Sequence, residues 1–105
     1  MIHVVAIITA KPGRRAELLD RFLTVVPIAQ AEDGCIEYRP VIDHHAGLDG
    51  DREALGPDSY IVVEKWASAE ALDAHVATDH MRTYAKETGN LIGSRTLHVL
   101  RDAAS

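Results

Sequence analysis

The stretch Glu64-Lys65-Trp66-Ala67-Ser68-Ala69-Glu70-Ala71-Leu72-Asp73-Ala74-His75 decides how this chain folds, because a strand ends in it and a helix begins. The stretch contains the only tryptophan, Trp66, which ends an apolar run. Ser68 is a favoured helix N-cap residue, and Glu70 in the first turn favours the helix dipole. Leu72 and His75 then fall on the inward side of the helix. An indole and an imidazole therefore meet at one end of the interior, which predicts a pocket for an aromatic ligand.

Outside this stretch, apolar runs and a helical stripe predict the remaining elements. The four strands are expected at Ile2–Thr9, Cys35–Ile42, Ser59–Trp66 and Arg95–Leu100. A stripe of apolar residues predicts a first helix from Arg14 to about Ala31, which Pro27 is expected to kink or to end near Val26. After the helix that Ser68 caps, Asp79 is expected to cap a further helical segment that runs to about Thr88.

The order of elements, β-α-β-β-α-β, is typical of the α+β class with a ferredoxin-like fold, an antiparallel sheet with both helices on one face. We predict a single domain over residues 1–105. The first strand is apolar on both sides, with Ile2, Val4, Ala6 and Ile8 on one side and Val5 and Ile7 on the other. A sheet with one wet face would alternate, so we expect a second copy to cover the bare face in a homodimer.

Composition and charge exclude several classes of protein. The net charge of −5 argues against nucleic acid as a partner, and no apolar run reaches the roughly 20 residues that cross a membrane. The only cysteine, Cys35, cannot form an internal disulfide, and the N-terminus has no secretion-signal pattern, so we expect a cytoplasmic protein. Most of the net negative charge falls in Asp43–Asp58. We interpret this segment as a long exposed loop that could act as a lid or reach a partner subunit.

Four landmarks follow one another along the chain: Lys11-Pro12-Gly13 after the apolar first strand, Glu32-Asp33-Gly34-Cys35-Ile36-Glu37-Tyr38, the stretch from Glu64 to His75, and Thr78-Asp79-His80. In this order they resemble the antibiotic biosynthesis monooxygenase family of the dimeric α+β barrel group, over nearly the whole chain. The resemblance implies a dimer with a pocket between helices and sheet in each subunit. It also implies an enzyme that oxygenates phenols or quinols without metal or flavin, although some members cleave haem and many have no assigned substrate.

The haem-degrading branch of the family can be tested by position. Its pattern has an asparagine near the middle of the first strand, a tryptophan on the second helix and a haem-ligating histidine ten residues later. The matching positions hold Ala6 or Ile7, His75 and Ala85. Haem cleavage by that mechanism is therefore disfavoured.

Two histidines are the candidate catalytic residues. His75 lies on the inward side of its helix, and a partly buried imidazole can take a proton from a phenol. The alternative is a packed histidine that binds a carbonyl or fills space. His80 follows Asp79 and either completes the pocket or only caps the start of the next helical segment.

Three residues are the candidate substrate-binding groups. Trp66 is expected to form a wall of the pocket and to stack on a planar substrate, unless it only fills the core. Tyr84, one turn beyond His80, could bind a substrate oxygen or simply pack. Leu72 shares the inward face with His75 and is expected to contact the substrate.

No cofactor or metal is expected from the motifs. The chain has no G-x-G-x-x-G, Walker A or H-E-x-x-H sequence. His75 and His80 are five residues apart and would diverge by roughly 140° on one continuous helix, so a shared metal site is not expected.

The leading hypothesis is a cofactor-independent monooxygenase that oxidises an aromatic phenol or quinol with O₂. His75 or His80 would remove a phenolic proton in a dry pocket, and the electron-rich anion would reduce O₂ itself. The first alternative is a non-catalytic dimeric module that binds a hydrophobic metabolite or haem. A second is a small decarboxylase or isomerase of the same fold group, since fold does not fix function.

Overall fold

The computed structural model describes residues 1–44 and 52–104. Its elements are β1 (Ile2–Ala10), α1 (Arg15–Gln30), β2 (Cys35–Val41), β3 (Ser59–Trp66), α2 (Ala69–Val76), α3 (Asp79–Thr88) and β4 (Ile92–Arg101). The predicted β-α-β-β-α-β order is confirmed, with the second helical region divided into α2 and α3. The last strand begins at Ile92, three residues before the predicted start.

The four strands form one sheet in the order β2-β3-β1-β4. All neighbouring strands are antiparallel, which confirms the ferredoxin-like α+β fold. Pro40 lies in β2, an edge strand, where the missing N–H of proline is tolerated. In β1 the residues Val4, Ala6 and Ile8 are buried under the helices, whereas the side chains between them are only half-buried.

The helix α1 covers the inward face of the sheet with one apolar stripe. Leu18, Phe22, Val26 and Ala29 of this stripe are buried in the core. The helix continues through Pro27 to Gln30, so the expected end near Val26 is wrong. A proline in the last turn removes one backbone hydrogen bond, and the burial of the neighbouring side chains offsets that loss.

The helices α2 and α3 are short and separately capped. Ser68 Oγ accepts a hydrogen bond from Ala71 N at 3.1 Å, as predicted for the start of α2. The N-cap of α3 is Thr78, whose Oγ1 accepts from Met81 N at 3.4 Å, and not Asp79, which is the first residue of the helix. This break changes the direction of the chain between His75 and His80.

The base of the acidic loop is closed by one carboxylate. Asp43 accepts hydrogen bonds from Leu55 N at 2.9 Å and Gly56 N at 3.0 Å, and these bonds lower the pKa of its carboxyl. Residues 45–51 lie outside the described residues, so the predicted lid over Asp43–Asp58 stays a prediction. None of the helices in the described ranges is long and apolar enough to cross a membrane.

A candidate active site between the helices and the sheet

A cavity of about 420 Å³ lies between the inward face of the sheet and the helices α1, α2 and α3. Four aromatic rings line it, from Phe22, Tyr38, Tyr60 and Tyr84. Aliphatic side chains from β1, β4 and α2 complete an apolar wall. The size and lining are typical of pockets for small, largely apolar ligands.

His75 is the imidazole of this cavity. Its side chain is 5% exposed and lines the wall, and its ring packs on the Trp66 ring with centroids 4.6 Å apart. His75 Nδ1 lies 2.9 and 3.0 Å from the two carboxylate oxygens of Glu32. Because a carboxylate accepts, Nδ1 carries the proton, and in the neutral tautomer Nε2 across the ring has the lone pair.

Glu32 joins two histidines through one carboxylate. Its Oε2 lies 2.9 Å from His75 Nδ1 and 2.9 Å from His80 Nε2. Glu32 belongs to the turn between α1 and β2, which packs closely on α2 at Gly34. A Cβ on Gly34 would lie 2.6 Å from the Ala71 Cβ, so this close approach depends on glycine.

Glu64 is a buried carboxylate in the wall of the cavity. It accepts a hydrogen bond from Trp66 Nε1 at 2.9 Å and is 6% exposed. Burial raises the pKa of this carboxyl, and the hydrogen bond from Trp66 opposes that effect in part. The wall of the cavity thus contains, near His75, a buried carboxyl group whose pKa is raised.

The phenol groups in the wall are neutral hydrogen-bonding groups. Tyr60 and Tyr84 share a hydrogen bond of 3.2 Å between their hydroxyls, and both rings pack on Phe22 with centroids 5.6 Å apart. Burial raises the pKa of Tyr38, Tyr60 and Tyr84 above the ordinary tyrosine value. These hydroxyls can therefore donate to a ligand oxygen at neutral pH.

Two guanidinium groups lie at the exposed side of the cavity. Arg82 comes from α3 and Arg95 from β4, and both line the opening. Within the described ranges neither of them forms an ion pair with a carboxylate. The opening is therefore positively charged in a chain whose net charge is −5.

The structure brings three of the five predicted site residues to the cavity, namely His75, Leu72 and Tyr84. Trp66 was predicted to form a wall of the cavity, but it does not line the cavity. It is completely buried, and its ring packs on the ring of His75. His80 does not line the cavity either, and its side chain, 26% exposed, binds Glu32. The half-buried Cys35 is no nucleophile, since burial and then Glu32 raise the pKa of its thiol.

Two functional candidates were missed in the sequence, Glu32 and Glu64. Glu64 had a signal, because it is the one charged side chain at an inward position of β3, between Val62 and Trp66. Glu32 had none, because its partner His75 is 43 residues away and no local pattern connects them.

Known proteins match this chain along most of its length. The family model described as antibiotic biosynthesis monooxygenase matches residues 1–87. The "Probable quinol monooxygenase YgiN" of Escherichia coli (strain K12) is 33% identical over 103 residues, which cover 96% of this chain and 97% of that protein.

Solved structures share the fold. PA3566 from Pseudomonas aeruginosa superposes with a TM-score of 0.81 at 24% identity, over 96% of this chain and 92% of that one. Rv0793 from Mycobacterium tuberculosis superposes with a TM-score of 0.78 at 24% identity, over 99% and 98%. With the family match over residues 1–87, the chain belongs to the antibiotic biosynthesis monooxygenase family and is an enzyme of the monooxygenase type.

Proposed function

We propose that this protein is a cofactor-independent monooxygenase that oxidises an aromatic phenol or quinol with O₂. The observation that carries the proposal is the Glu32–His75 pair, with bonds of 2.9 and 3.0 Å, at the wall of an aromatic-lined cavity. The likeness to a protein named a probable quinol monooxygenase supports the same substrate class.

His75 is the proposed general base. Glu32 fixes the tautomer that leaves the Nε2 lone pair for the substrate, and its negative charge stabilises the imidazolium that forms. Trp66 holds the ring in place by packing against it. Glu32 and Trp66 are therefore positioning residues, and His80 acts only through Glu32.

The apolar wall favours the reaction by excluding water from the anion. His75 removes the phenolic proton, and the anion transfers one electron to O₂, giving a phenoxyl radical and superoxide. These recombine at a ring carbon to a hydroperoxide, which loses water. One oxygen atom ends in the quinone and the other in water, so a phenol and O₂ give a quinone and H₂O without a further reductant. The protein supplies desolvation, orientation and the base.

The substrate is proposed to lie along the row of rings. Leu72 contacts its flat face near His75, and the hydroxyl of Tyr84 or Tyr60 binds a second oxygen at the far end. A para-quinol has two oxygens on opposite sides of one ring, which suits these two groups of polar atoms. Arg82 and Arg95 at the opening favour an anionic substrate by their charge.

We also propose that the working form is a homodimer in the cytoplasm. Beyond Ile92, every residue of β4 is exposed in the single chain, and Leu100 among them pairs with His3 on the sheet face opposite the helices. Exposed apolar residues on a sheet of this size mark a surface that another chain covers. The single cysteine, Cys35, agrees with a reducing compartment.

The direct test is oxygen uptake with a reduced naphthoquinone or an anthrone, measured with an oxygen electrode and corrected for spontaneous oxidation. The quinone product is identified by mass spectrometry with ¹⁸O₂. We expect His75→Ala to lower kcat by about 10²- to 10⁴-fold, the usual contribution of a general base. The matched control is Asp73→Ala, an exposed residue of α2 that does not line the cavity, and it is expected to keep full activity.

Two results would overturn the proposal. Uptake that His75→Ala leaves unchanged would remove the proposed base. Tight binding of the quinol with no uptake above the spontaneous rate would favour a binding module instead of an oxygenase.

A further inference from the structure

A polar cluster of two imidazoles and one carboxylate begins at His75 in the cavity wall and extends behind it to Glu32 and His80. One ligand atom from each of Glu32, His75 and His80 lies within 4.8 Å of the other two. Glu32 Oε2 is the centre of the set, at 2.9 Å from a nitrogen of each histidine. A carboxylate oxygen and two imidazole nitrogens are the donor set of three-ligand zinc sites.

The sequence argument against a shared metal does not apply to this structure. It assumed a continuous helix, on which the two histidines diverge. Instead α2 ends at Val76 and α3 begins at Asp79, and the turn between them directs both rings at Glu32. Five residues of separation then become an advantage, because each ring comes from a different helix end.

We infer that Glu32, His75 and His80 form a site for one divalent transition-metal ion, with Zn²⁺ as the best-fitting metal and a fourth position open to solvent. The ligands would be Glu32 Oε2, His75 Nδ1 and His80 Nε2. The same set binds Co²⁺, Ni²⁺ and Cu²⁺, with affinities that follow the general order for such donors.

Two of the three donor separations are near those of a zinc site, and the third, between His75 and His80, is at most 4.8 Å. Donor atoms about 2.0–2.1 Å from a tetrahedral zinc ion are about 3.3 Å apart. The two Glu32–histidine separations of 2.9 Å are already close to this value. His80, with 26% of its side chain exposed at the start of α3, gives the route of entry from solvent.

Metal binding has a consequence for the reaction, which rests on the proposed function. Coordination through His75 Nδ1 moves the ring proton to Nε2, the atom that faces the substrate. The ring then has no lone pair to accept a phenolic proton. The metal-bound protein is therefore an inhibited state, and the metal is a regulator of this site.

The test of binding needs neither substrate nor O₂. The full-length protein, stripped with a chelator, is titrated with Zn²⁺ by calorimetry and with Co²⁺ by visible absorption, where four-coordinate Co²⁺ gives intense bands. We expect one ion per chain. His80→Ala is expected to weaken binding at least about 10-fold and to abolish the bands, since even outer-shell changes cost that much.

The matched control is His3→Ala. His3 Nε2 binds Asp102 at 2.8 Å in a histidine–carboxylate pair that does not include Glu32, and its loss is expected to leave the titration unchanged. Circular dichroism verifies that each variant is folded, and Glu32→Gln replaces His80→Ala if that variant is not.

Three results would overturn the site. These are no Co²⁺ bands in the unmodified protein, unchanged binding in His80→Ala, or binding lost in His3→Ala. Binding without oxygenase activity would leave the metal site standing and remove only the proposed function. Activity that saturating Zn²⁺ does not lower would remove the inhibitory role.

Discussion

Glu64 shows how one residue in the wall affects the stability of the whole chain. Burial raises the pKa of its carboxyl, so ionisation at neutral pH costs folding free energy. The favourable contribution of the neutral form is complete below the unfolded value of 4.5 and is lost as the pH rises through the folded pKa. Glu64→Gln keeps an acceptor for Trp66 Nε1 but never ionises. We therefore expect it to gain stability relative to the unmodified protein as the pH rises from about 4 to 8.

The measurement is the free energy of unfolding in urea at each pH for both proteins. Glu70→Gln, an exposed acid in the first turn of α2, accounts for removing one negative charge from a chain of net charge −5. A difference that is the same at every pH would show that the ionised form of Glu64 carries no burial cost.

At the same scale, the sequence predicted single residues well where periodicity decides their side. His75, Leu72 and Tyr84 were expected on inward faces and do line the cavity. Trp66 was expected on an inward face as well, but periodicity does not show whether an inward side chain lines a cavity or is buried behind the residues that line it. Glu32 faces its histidines because of tertiary packing, which no local pattern encodes.

At the scale of elements, the contact between the turn before β2 and the helix α2 controls the position of Glu32. Gly34 has a φ of +84°, and a Cβ there would lie 2.6 Å from the Cβ of Ala71. Gly34→Ala therefore combines backbone strain of about 1–2 kcal/mol with overpacking of about 1–3 kcal/mol. We expect a total loss of about 2–5 kcal/mol in the free energy of unfolding, together with lower oxygenase activity because Glu32 moves away from His75.

A double-mutant cycle separates the two causes. In the Ala71→Gly background the steric contact is absent, so Gly34→Ala is expected to cost only the backbone strain of about 1–2 kcal/mol. Equal costs in the two backgrounds would contradict the close packing of this turn on α2.

The elements themselves followed from the sequence more closely than their ends did. The strand β3 was predicted residue for residue, and Ser68 caps α2 as expected. The errors lie where two signals compete. Pro27 is tolerated because the side chains around it are buried, and Thr78 replaces Asp79 as the cap of α3. The consequence for the site is large, since the break at Thr78 lets the two histidines meet.

At the scale of the whole molecule, the order of elements was enough to predict the antiparallel sheet, since few topologies satisfy the rules for connections. The cavity was predicted only as a location, at the end of the interior marked by the tryptophan and the histidine. Within the described residues, its polar groups come from five elements: the strands β2, β3 and β4 and the helices α2 and α3. Their meeting depends on packing that the local pattern does not contain.

The uncovered sheet leads to the last prediction, that two chains associate through it. Leu100 lies on β4, is 47% exposed and pairs with His3 on the face opposite the helices. An interface of standard size buries about 1,600 Å² in total, and each Å² of apolar area that it buries contributes about 25 cal/mol to the free energy of association. We expect sedimentation equilibrium at micromolar concentration to give a dimer, and Leu100→Glu to give a monomer. The matched control is Leu23→Glu on α1, equally exposed at 51% but on the helical side, which should stay dimeric. A monomeric unmodified chain, or dissociation by both variants alike, would contradict an interface on this face.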